Sequence, residues 1–154
     1  MTAAQLYVAG KNAGEMEALT LSQDPLPLQS ARIGAVQFVL GHQFRILRND
    51  EGWHVSTTAY RYHLLDNDDR ELIGWHWHPG TVGYPHMHAE AAGGLIDRRV
   101  HLPTGRVSIE SVIRLLLNDL AVAPRRADHA DVLATAERAF VEHRRWHARG
   151  PGNE

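Results

Sequence analysis

The middle of the chain alternates between apolar and polar positions with a period of two. From Arg32 to about Ala91 the segments are rich in Val, Ile, Tyr, Trp and Thr, and turn sequences divide them at NDEG (49–52) and DNDD (66–69). Such alternation is typical of strands with one buried face, and Asp, Asn and Gly favour the turns between them. The pattern therefore predicts an antiparallel meander of about four strands, over residues 33–47, 53–65, 70–78 and 85–91.

After the segment GGLIDRRVHLPTGR the period changes to 3.6, which predicts a helix. Ser108 is a candidate N-cap and Pro124 lies just beyond the end. The apolar stripe consists of Ile109, Val112, Ile113, Leu116, Leu117 and Leu120. A second helix is predicted from about Asp128, another good N-cap, to His147. Strands followed by helices indicate the α+β class, with the two C-terminal helices packed on one face of the sheet.

Residues 1–30 have a less regular pattern. They contain weak apolar patches, a turn sequence KNAG, and DPLPL, whose prolines interrupt regular structure. We interpret this segment as an N-terminal arm, with a short hairpin as an alternative, and residues 31–150 as a single α+β domain. The 154 residues are enough for one domain with a buried core.

Composition excludes several classes of function. The chain has no cysteine, so it has no disulfide, no cysteine-type zinc ribbon and no thiol nucleophile. Its formal net charge of -2 does not indicate a nucleic-acid binder. No P-loop, GxGxxG, GxSxG or HExxH motif is present. Since a basic leader with an apolar run and an apolar stretch of ~20 residues are both lacking, we expect a cytoplasmic protein that does not associate with membranes.

Histidines are concentrated in GWHWHPGTVGYPHMHAE, residues 74–90, which holds four of the eleven as two His-x-His pairs. If the last two predicted strands form a hairpin with His78 opposite His86, His76 lies opposite His88. Side chains alternate between the faces of a strand, so all four imidazoles share one face. The opposite face carries Trp75 and Trp77 and is expected to be the core.

The preceding strand extends this division of faces. An even-length loop at DNDD places Tyr60, Tyr62 and Leu64 beside Trp77, Trp75 and Ile73 on the core face. Arg61 and His63 then join the histidines, within the ~4.5–5.5 Å that separates cross-strand Cβ atoms. The first strand fits only if a one-residue bulge near NDEG returns Phe44 and Ile46 to the core face.

A metal site is one interpretation of this face. His76, His78, His86 and His88 could supply three or four ligands for Zn, Fe, Ni or Mn, with Glu90 or His101 as additions. The cofactor would then be a divalent transition metal.

Acid-base catalysis on a phosphodiester without a cofactor is the second interpretation. Two of the imidazoles would act as general base and general acid, and Arg61, or Arg98 and Arg99, would stabilise the developing negative charge. The candidate catalytic residues are His63, His76, His78, His86, His88 and Arg61. Tyr60 and Tyr62 are candidates for assisting proton transfer and binding substrate.

The histidines could also be half-exposed strand residues that water and the backbone satisfy. Histidines elsewhere in the chain, at positions 42, 54, 129, 143 and 147, are interpreted in this way.

The segment HLPTGRV has two interpretations. Thr104, Gly105 and Arg106 could cradle a phosphate ahead of a helix N-terminus, or they could form a simple turn into that helix. His101 and Arg106 are therefore further candidates for binding substrate.

The order AYRYHLLDNDDRELIGWHWHP, PHMH and a following helix resembles the TumE family of bacterial toxin-antitoxin toxins over residues 59–88. The matching positions are Tyr60, Tyr62, His76, His78, Pro79, Pro85, His86 and His88. The N-terminal arm and the two C-terminal helices extend beyond the matched region. The resemblance implies a growth-inhibiting toxin that acts on RNA and is neutralised by an antitoxin partner. Our leading hypothesis is therefore a small bacterial ribonuclease, with a metal-dependent enzyme or metal-binding protein as the alternative.

Overall fold

A nine-stranded sheet and two helical segments make up the computed structural model, which describes residues 6–9, 14–90 and 99–146. The strands are β1 (Leu6–Ala9), β2 (Met16–Leu21), β3 (Leu26–Ser30), β4 (Gly34–Asn49), β5 (Gly52–Leu65), β6 (Glu71–His78), β7 (Val82–Ala89), β8 (Leu102–Pro103) and β9 (Arg144–Trp146). The helical segments are α1 (Ile109–Arg114), its π-helical continuation (Leu115–Asp119) and α2 (His129–His143). Neighbouring strands follow the order β1-β2-β4-β5-β6-β7-β8, while β3 pairs with β4 and β9 with β5.

The predicted four-stranded meander is wrong as an architecture, although the chain remains α+β. Its four strands correspond to β4, β5, β6 and β7, but the sheet continues beyond them on both sides. Residues 1–30, interpreted as an arm, contribute β1, β2 and β3. Pro27 is accommodated because, among the described strands, β3 pairs only with β4, so one side of the strand needs no backbone donor.

A one-residue bulge interrupts the long hairpin of β4 and β5. Gln43 pairs with Ala59 while Phe44 pairs with Thr57, so Thr58 is the extra residue. The predicted bulge is thereby confirmed, but it lies in the middle of the strands rather than near the turn. Because the extra residue is on β5, the bulge puts the buried Thr57 on the core face opposite Phe44.

The core lies on one face of β4, β5 and β6, as the alternating pattern predicts. Tyr62 and Leu64 are fully buried, and the burial of Trp75 and Trp77 confirms that both tryptophans belong to this face. Val112 from α1 is part of the same cluster. The remaining members are Val36, Phe38, Leu40, Tyr60, Leu116 and Val122. The helical layer therefore covers this face of the sheet and leaves the other face to the histidines.

Both helical regions lie where the sequence predicts helices, and Val112 and Leu116 of the predicted stripe are buried. Ser108 caps α1 by accepting a hydrogen bond from the Ser111 amide at 3.2 Å, which confirms the predicted N-cap. The second helix ends at His143 rather than at His147, because the chain passes directly into β9, which pairs in parallel with β5. Neither described helical segment combines the length and apolar composition that a membrane crossing needs.

Candidate functional site

The histidine face is built on the hairpin of β6 and β7. His76 pairs with His86, and Gly74 pairs with His88, so the predicted pairing of His78 with His86 is wrong by two residues. A shift of two residues preserves the face on which each side chain lies. The four imidazoles therefore share the face opposite the tryptophans, with the pairing irregular between His76 and His78.

Three of these histidines form a compact set. The ring centroids lie 5.5 Å apart for His76 and His86, 4.9 Å for His76 and His88, and 5.2 Å for His86 and His88. One ring nitrogen from each lies within 4.8 Å of the others. Nitrogens around a tetrahedral zinc ion with bonds near 2.0–2.1 Å are about 3.3 Å apart. Small side-chain rotations therefore suffice to bring the three nitrogens onto one ion.

Two histidines of this set, His76 and His86, each have a ring nitrogen that could bind a metal ion. The Nε2 atom of His76 is buried and has no hydrogen-bond partner among the residues that the structure describes. His86 is 3% exposed, and its Nδ1 donates to the Tyr84 carbonyl at 3.1 Å, since a carbonyl can only accept. That bond leaves Nε2 of His86 as the atom with a lone pair. Burial lowers the pKa of His86 despite the opposing bond to Tyr84, which favours the neutral, metal-binding form.

Glu71 belongs to the site, although the sequence analysis did not assign it a role. His63 on β5 donates a hydrogen bond from Nδ1 to Oε2 of Glu71. Nε2 of His76 lies 3.7 Å from the same oxygen, too far for a hydrogen bond. The bond from His63, followed by the proximity of His76, holds the pKa of Glu71 well below its usual range, so the carboxylate is ionised.

A bulge at Leu72 explains why alternation failed to find Glu71. Leu64 pairs with Ile73 but Leu65 pairs with Glu71, so β6 has one extra residue there. The bulge turns Glu71 onto the histidine face. A regular strand would have put Glu71 on the core face with Ile73. Gly74 is the feature of the sequence that could have indicated this bulge, since a glycine inside a strand often marks a bulge or a close approach of other atoms.

Gly74 provides the space in which the carboxylate and imidazole meet. It pairs with His63 on one side and His88 on the other. A Cβ atom at position 74 would lie 2.6 Å from Oε2 of Glu71 and 2.7 Å from Nε2 of His76. Only glycine at this position therefore allows the side chains of Glu71 and His76 to approach each other over β6 without displacement.

His101 extends the cluster beyond the hairpin. Strand β8 pairs with β7, and the His101 ring lies 4.6 Å from that of His86 and 4.7 Å from that of His88. His101 is exposed, and its nitrogens do not complete a set with the three nitrogens described above. Its place is consistent with contact to a bound molecule.

His78 and Arg61 lie at the other end of the histidine face. The His78 ring is 5.9 Å from that of His76, and burial, followed by His76, His86 and Arg61, lowers the pKa of His78. Arg61 pairs with His76 across β5 and β6, but its side chain crosses Gly41 on the opposite side of β5. His78 and Arg61 line a groove beside the cluster.

The other predicted site residues lie elsewhere. Tyr60 and Tyr62 are 1% and 0% exposed in the core; the Tyr60 hydroxyl accepts from the Val107 amide at 3.0 Å, and the Tyr62 hydroxyl contacts His42. Arg106 stacks on the core residue Trp77, with its guanidinium carbon 4.0 Å from the ring centroid. The structure thus does not bring these three residues to the histidine face. Glu90 is exposed and does not belong to the set of His76, His86 and His88; Arg98 lies outside the described residues.

No family model, curated protein or solved structure matches the chain. The chemistry of the site therefore rests on its own side chains. Among the described residues, two donor sets emerge, His76 with His86 and His88, and His63 with Glu71 and His76. The shared His76 joins a three-imidazole set to a carboxylate-oriented histidine, an arrangement suited to holding a metal ion beside a general base.

Proposed function

We propose that the protein binds one divalent transition metal ion through His76, His86 and His88. The single observation that carries the proposal is the set of three imidazole nitrogens within 4.8 Å on two paired strands. The buried Nε2 of His76, which has no hydrogen-bond partner within the described part of the chain, supports it, because burying a polar atom without a partner is costly unless a ligand satisfies it. Three imidazole nitrogens suit zinc, nickel, iron or manganese.

We further propose that the metal centre is that of a hydrolase. Three protein ligands leave a coordination position for water, whose pKa a bound zinc ion lowers toward ~7. His63 would act as the general base through its Nε2 atom, because its Nδ1 donates to the ionised Glu71. The metal ion would supply the activated water of a hydrolytic reaction, and Glu71 would orient His63 and stabilise its protonated form.

Metal content is the first test of the metal centre. Tag-free protein, purified without a metal column, is incubated with Zn²⁺, Ni²⁺ or Mn²⁺, desalted and analysed by inductively coupled plasma mass spectrometry. We expect about one equivalent of one metal in the wild type. We expect His76→Gln and His86→Gln to lose it, and the matched control His143→Gln, which changes an exposed histidine on α2, to keep it. Equal metal content in all four proteins would contradict the proposal, as would a wild type that retains none.

The hydrolytic step is tested separately from metal binding. With an activated ester or phosphodiester as probe, His63→Gln should retain the metal and lose roughly 10²–10⁴-fold in rate, the range that general acid-base groups supply. Glu71→Gln should have a smaller effect in the same direction, because Glu71 acts through His63. Loss of metal from both variants would instead make these residues ligands.

Metal-free cleavage of RNA by a toxin is a second candidate, and the His63–Glu71 pair also favours it. An ionised carboxylate that orients an imidazole is the usual support of a general base. This candidate includes the resemblance to TumE toxins, a cytoplasmic location and an antitoxin partner. Expression of the wild type and of His86→Ala in a bacterial host separates it from the first, because equal growth and intact RNA in both cultures would contradict a toxin.

A further inference from the structure

An open groove runs along the same sheet face as the histidine cluster and begins where the cluster ends. It lies across β2, β4, β5 and β6 and has a volume of ≈ 290 Å³, close to the lower end of the ~300–1,000 Å³ of small-molecule pockets. Its floor is low because Ala18, Gly41 and Ala59 present little or no side chain there. His78 lies on the border between the groove and the cluster.

Arg61 is the charged residue of this groove. The lining contains no carboxylate, and within the described part of the chain Arg61 has no ion pair. A Cβ atom on Gly41 would lie 3.1 Å from both Cγ and Nε of Arg61, so the arginine stem lies over that glycine. The stem of the exposed Arg61 therefore directs the guanidinium group over β4 and into the groove, away from β6, on which His76 lies.

This direction changes the role expected of Arg61. A guanidinium directed at His76 would stabilise charge on the reacting atoms. In the groove it is displaced from the metal ligands across the sheet, where neighbouring strands are spaced about 4.8 Å apart. It is thus placed to bind a second, anionic part of a substrate whose reacting atom lies at the metal. Arginine presents a planar set of donors that matches phosphate oxygens in pairs.

We propose that the Arg61 groove, lined also by His78 and Gly41, binds a phosphoryl group and that the substrates of the metal centre are phosphate esters. This substrate class rests on the proposed hydrolytic metal centre, whereas the anion site itself does not. Metal ions that activate water also polarise phosphoryl oxygens, so the two parts of the face suit one class of molecule.

Binding of inorganic phosphate tests the groove. Isothermal titration calorimetry is performed on zinc-loaded and zinc-free protein, with acetate as the comparison anion and with metal content measured on each sample. We expect phosphate to bind the wild type and acetate to bind at least tenfold more weakly. Arg61→Ala should weaken phosphate binding by roughly ten- to a hundredfold, and Arg61→Lys should weaken it less, because lysine keeps the charge but loses the paired donors.

Arg32→Ala is the matched control, since it removes an exposed arginine in the turn between β3 and β4 and changes the net charge equally. It should bind phosphate like the wild type. Arg61→Ala should retain its metal and its melting temperature, which excludes misfolding as the cause.

The outcomes separate this inference from the metal centre. If Arg61→Ala leaves phosphate binding intact and His86→Gln abolishes it, phosphate binds only to the metal. That result would contradict the proposed phosphate site in the groove. Acetate bound as tightly as phosphate would overturn the phosphoryl assignment. Phosphate binding that depends on Arg61 in a protein that takes up no metal would support the groove while contradicting the proposed hydrolase.

Discussion

His42 is a buried histidine whose two nitrogens are both engaged on the core side of β4. Nδ1 lies 2.7 Å from the Tyr62 hydroxyl and Nε2 lies 3.1 Å from the Thr57 hydroxyl. A neutral imidazole can donate through one nitrogen and accept through the other, and hydroxyl groups can serve either role. Burial lowers the pKa of His42 to about 4. We therefore expect His42 to contribute to the stability of the fold, in contrast to the histidines of the opposite face.

This shift makes stability depend on pH in a defined window. The folded pKa of about 4 lies below the value of 6.5 that is usual for histidine in an unfolded chain, so the unfolded chain binds the proton more readily as pH falls through this interval. The contribution of His42 is complete above pH 6.5 and is lost as pH falls toward 4, by about 2 kcal/mol at pH 5. Urea unfolding of metal-free protein at pH 7 and pH 5 should show that the wild type loses about 2 kcal/mol more than His42→Gln. An equal loss in both proteins would contradict the assignment.

Glu17 is a second buried polar residue, and its surroundings differ from those of His42. It is 1% exposed on β2, and neither carboxylate oxygen has a hydrogen-bond partner among the described residues. Because such a group keeps its desolvation cost, Glu17→Met should raise the free energy of unfolding by about 1–3 kcal/mol at pH 7. Glu142→Met, at an exposed position on α2, should stay within about 0.5 kcal/mol of the wild type. A less stable Glu17→Met protein would indicate that the carboxylate has a role that these contacts do not reveal.

At the scale of elements, two bulges decide which side chains share a face. The bulge at Thr58 puts Thr57 on the core face opposite Phe44, and the bulge at Leu72 turns Glu71 toward the histidines. Alternation in a regular strand could not place Thr57 or Glu71, because one extra residue reverses the face of everything beyond it. The candidate site therefore depends on an irregularity of β6 as much as on the His-x-His pairs.

Two glycines in neighbouring strands test this view. A Cβ atom at Gly74 collides with Glu71 and His76, whereas one at Gly83 on β7 meets nothing within 4 Å. We expect Gly74→Ala to weaken zinc binding by about 10–100-fold, the usual effect of disturbing groups around metal ligands. Gly83→Ala should bind zinc like the wild type. Competition with a chromophoric chelator measures both affinities, and equal affinities would show that the crowding at Gly74 has no bearing on the metal.

At the scale of the whole molecule, the two faces of the sheet differ: one forms the hydrophobic core and the other carries the candidate site. One face packs with α1 and carries the aromatic core, while the other carries the cluster and the groove. The proposed ligands come from both strands of the β6 and β7 hairpin, so they converge only when that hairpin is folded. Metal binding and folding are therefore coupled.

The coupling predicts a shift in melting temperature. Zinc at a free concentration of 100 times its dissociation constant should stabilise the folded protein by about 2.7 kcal/mol, or roughly 5–10 °C for a chain of this size. A chelator should reverse the shift. Differential scanning calorimetry of the wild type and of His86→Gln measures it, and a shift that survives the substitution would show that zinc stabilises the protein from another position.

Local pattern was sufficient for part of this molecule. Alternation of apolar and polar residues determined the four central strands, the aromatic core face and the common face of the histidines, because side-chain direction in a strand depends only on position along it. The helical period of 3.6 residues and the preference of serine for helix N-termini located Ser108 as a helix cap. Alternation did not reveal two of the edge strands. Strand β8 has only two residues, and β3 contains a proline, which is tolerated because no second described strand pairs with β3.

Tertiary structure decided the rest, because it depends on contacts between distant parts of the chain. Strand pairing selected His86 rather than His88 as the partner of His76 and carried Glu71 to His63 through the bulge in β6. Packing over Gly41 turned Arg61 away from the cluster. The sequence by itself thus determined that imidazoles would gather on one face; only the fold determined which of them could hold one ion and which cation would lie beside them.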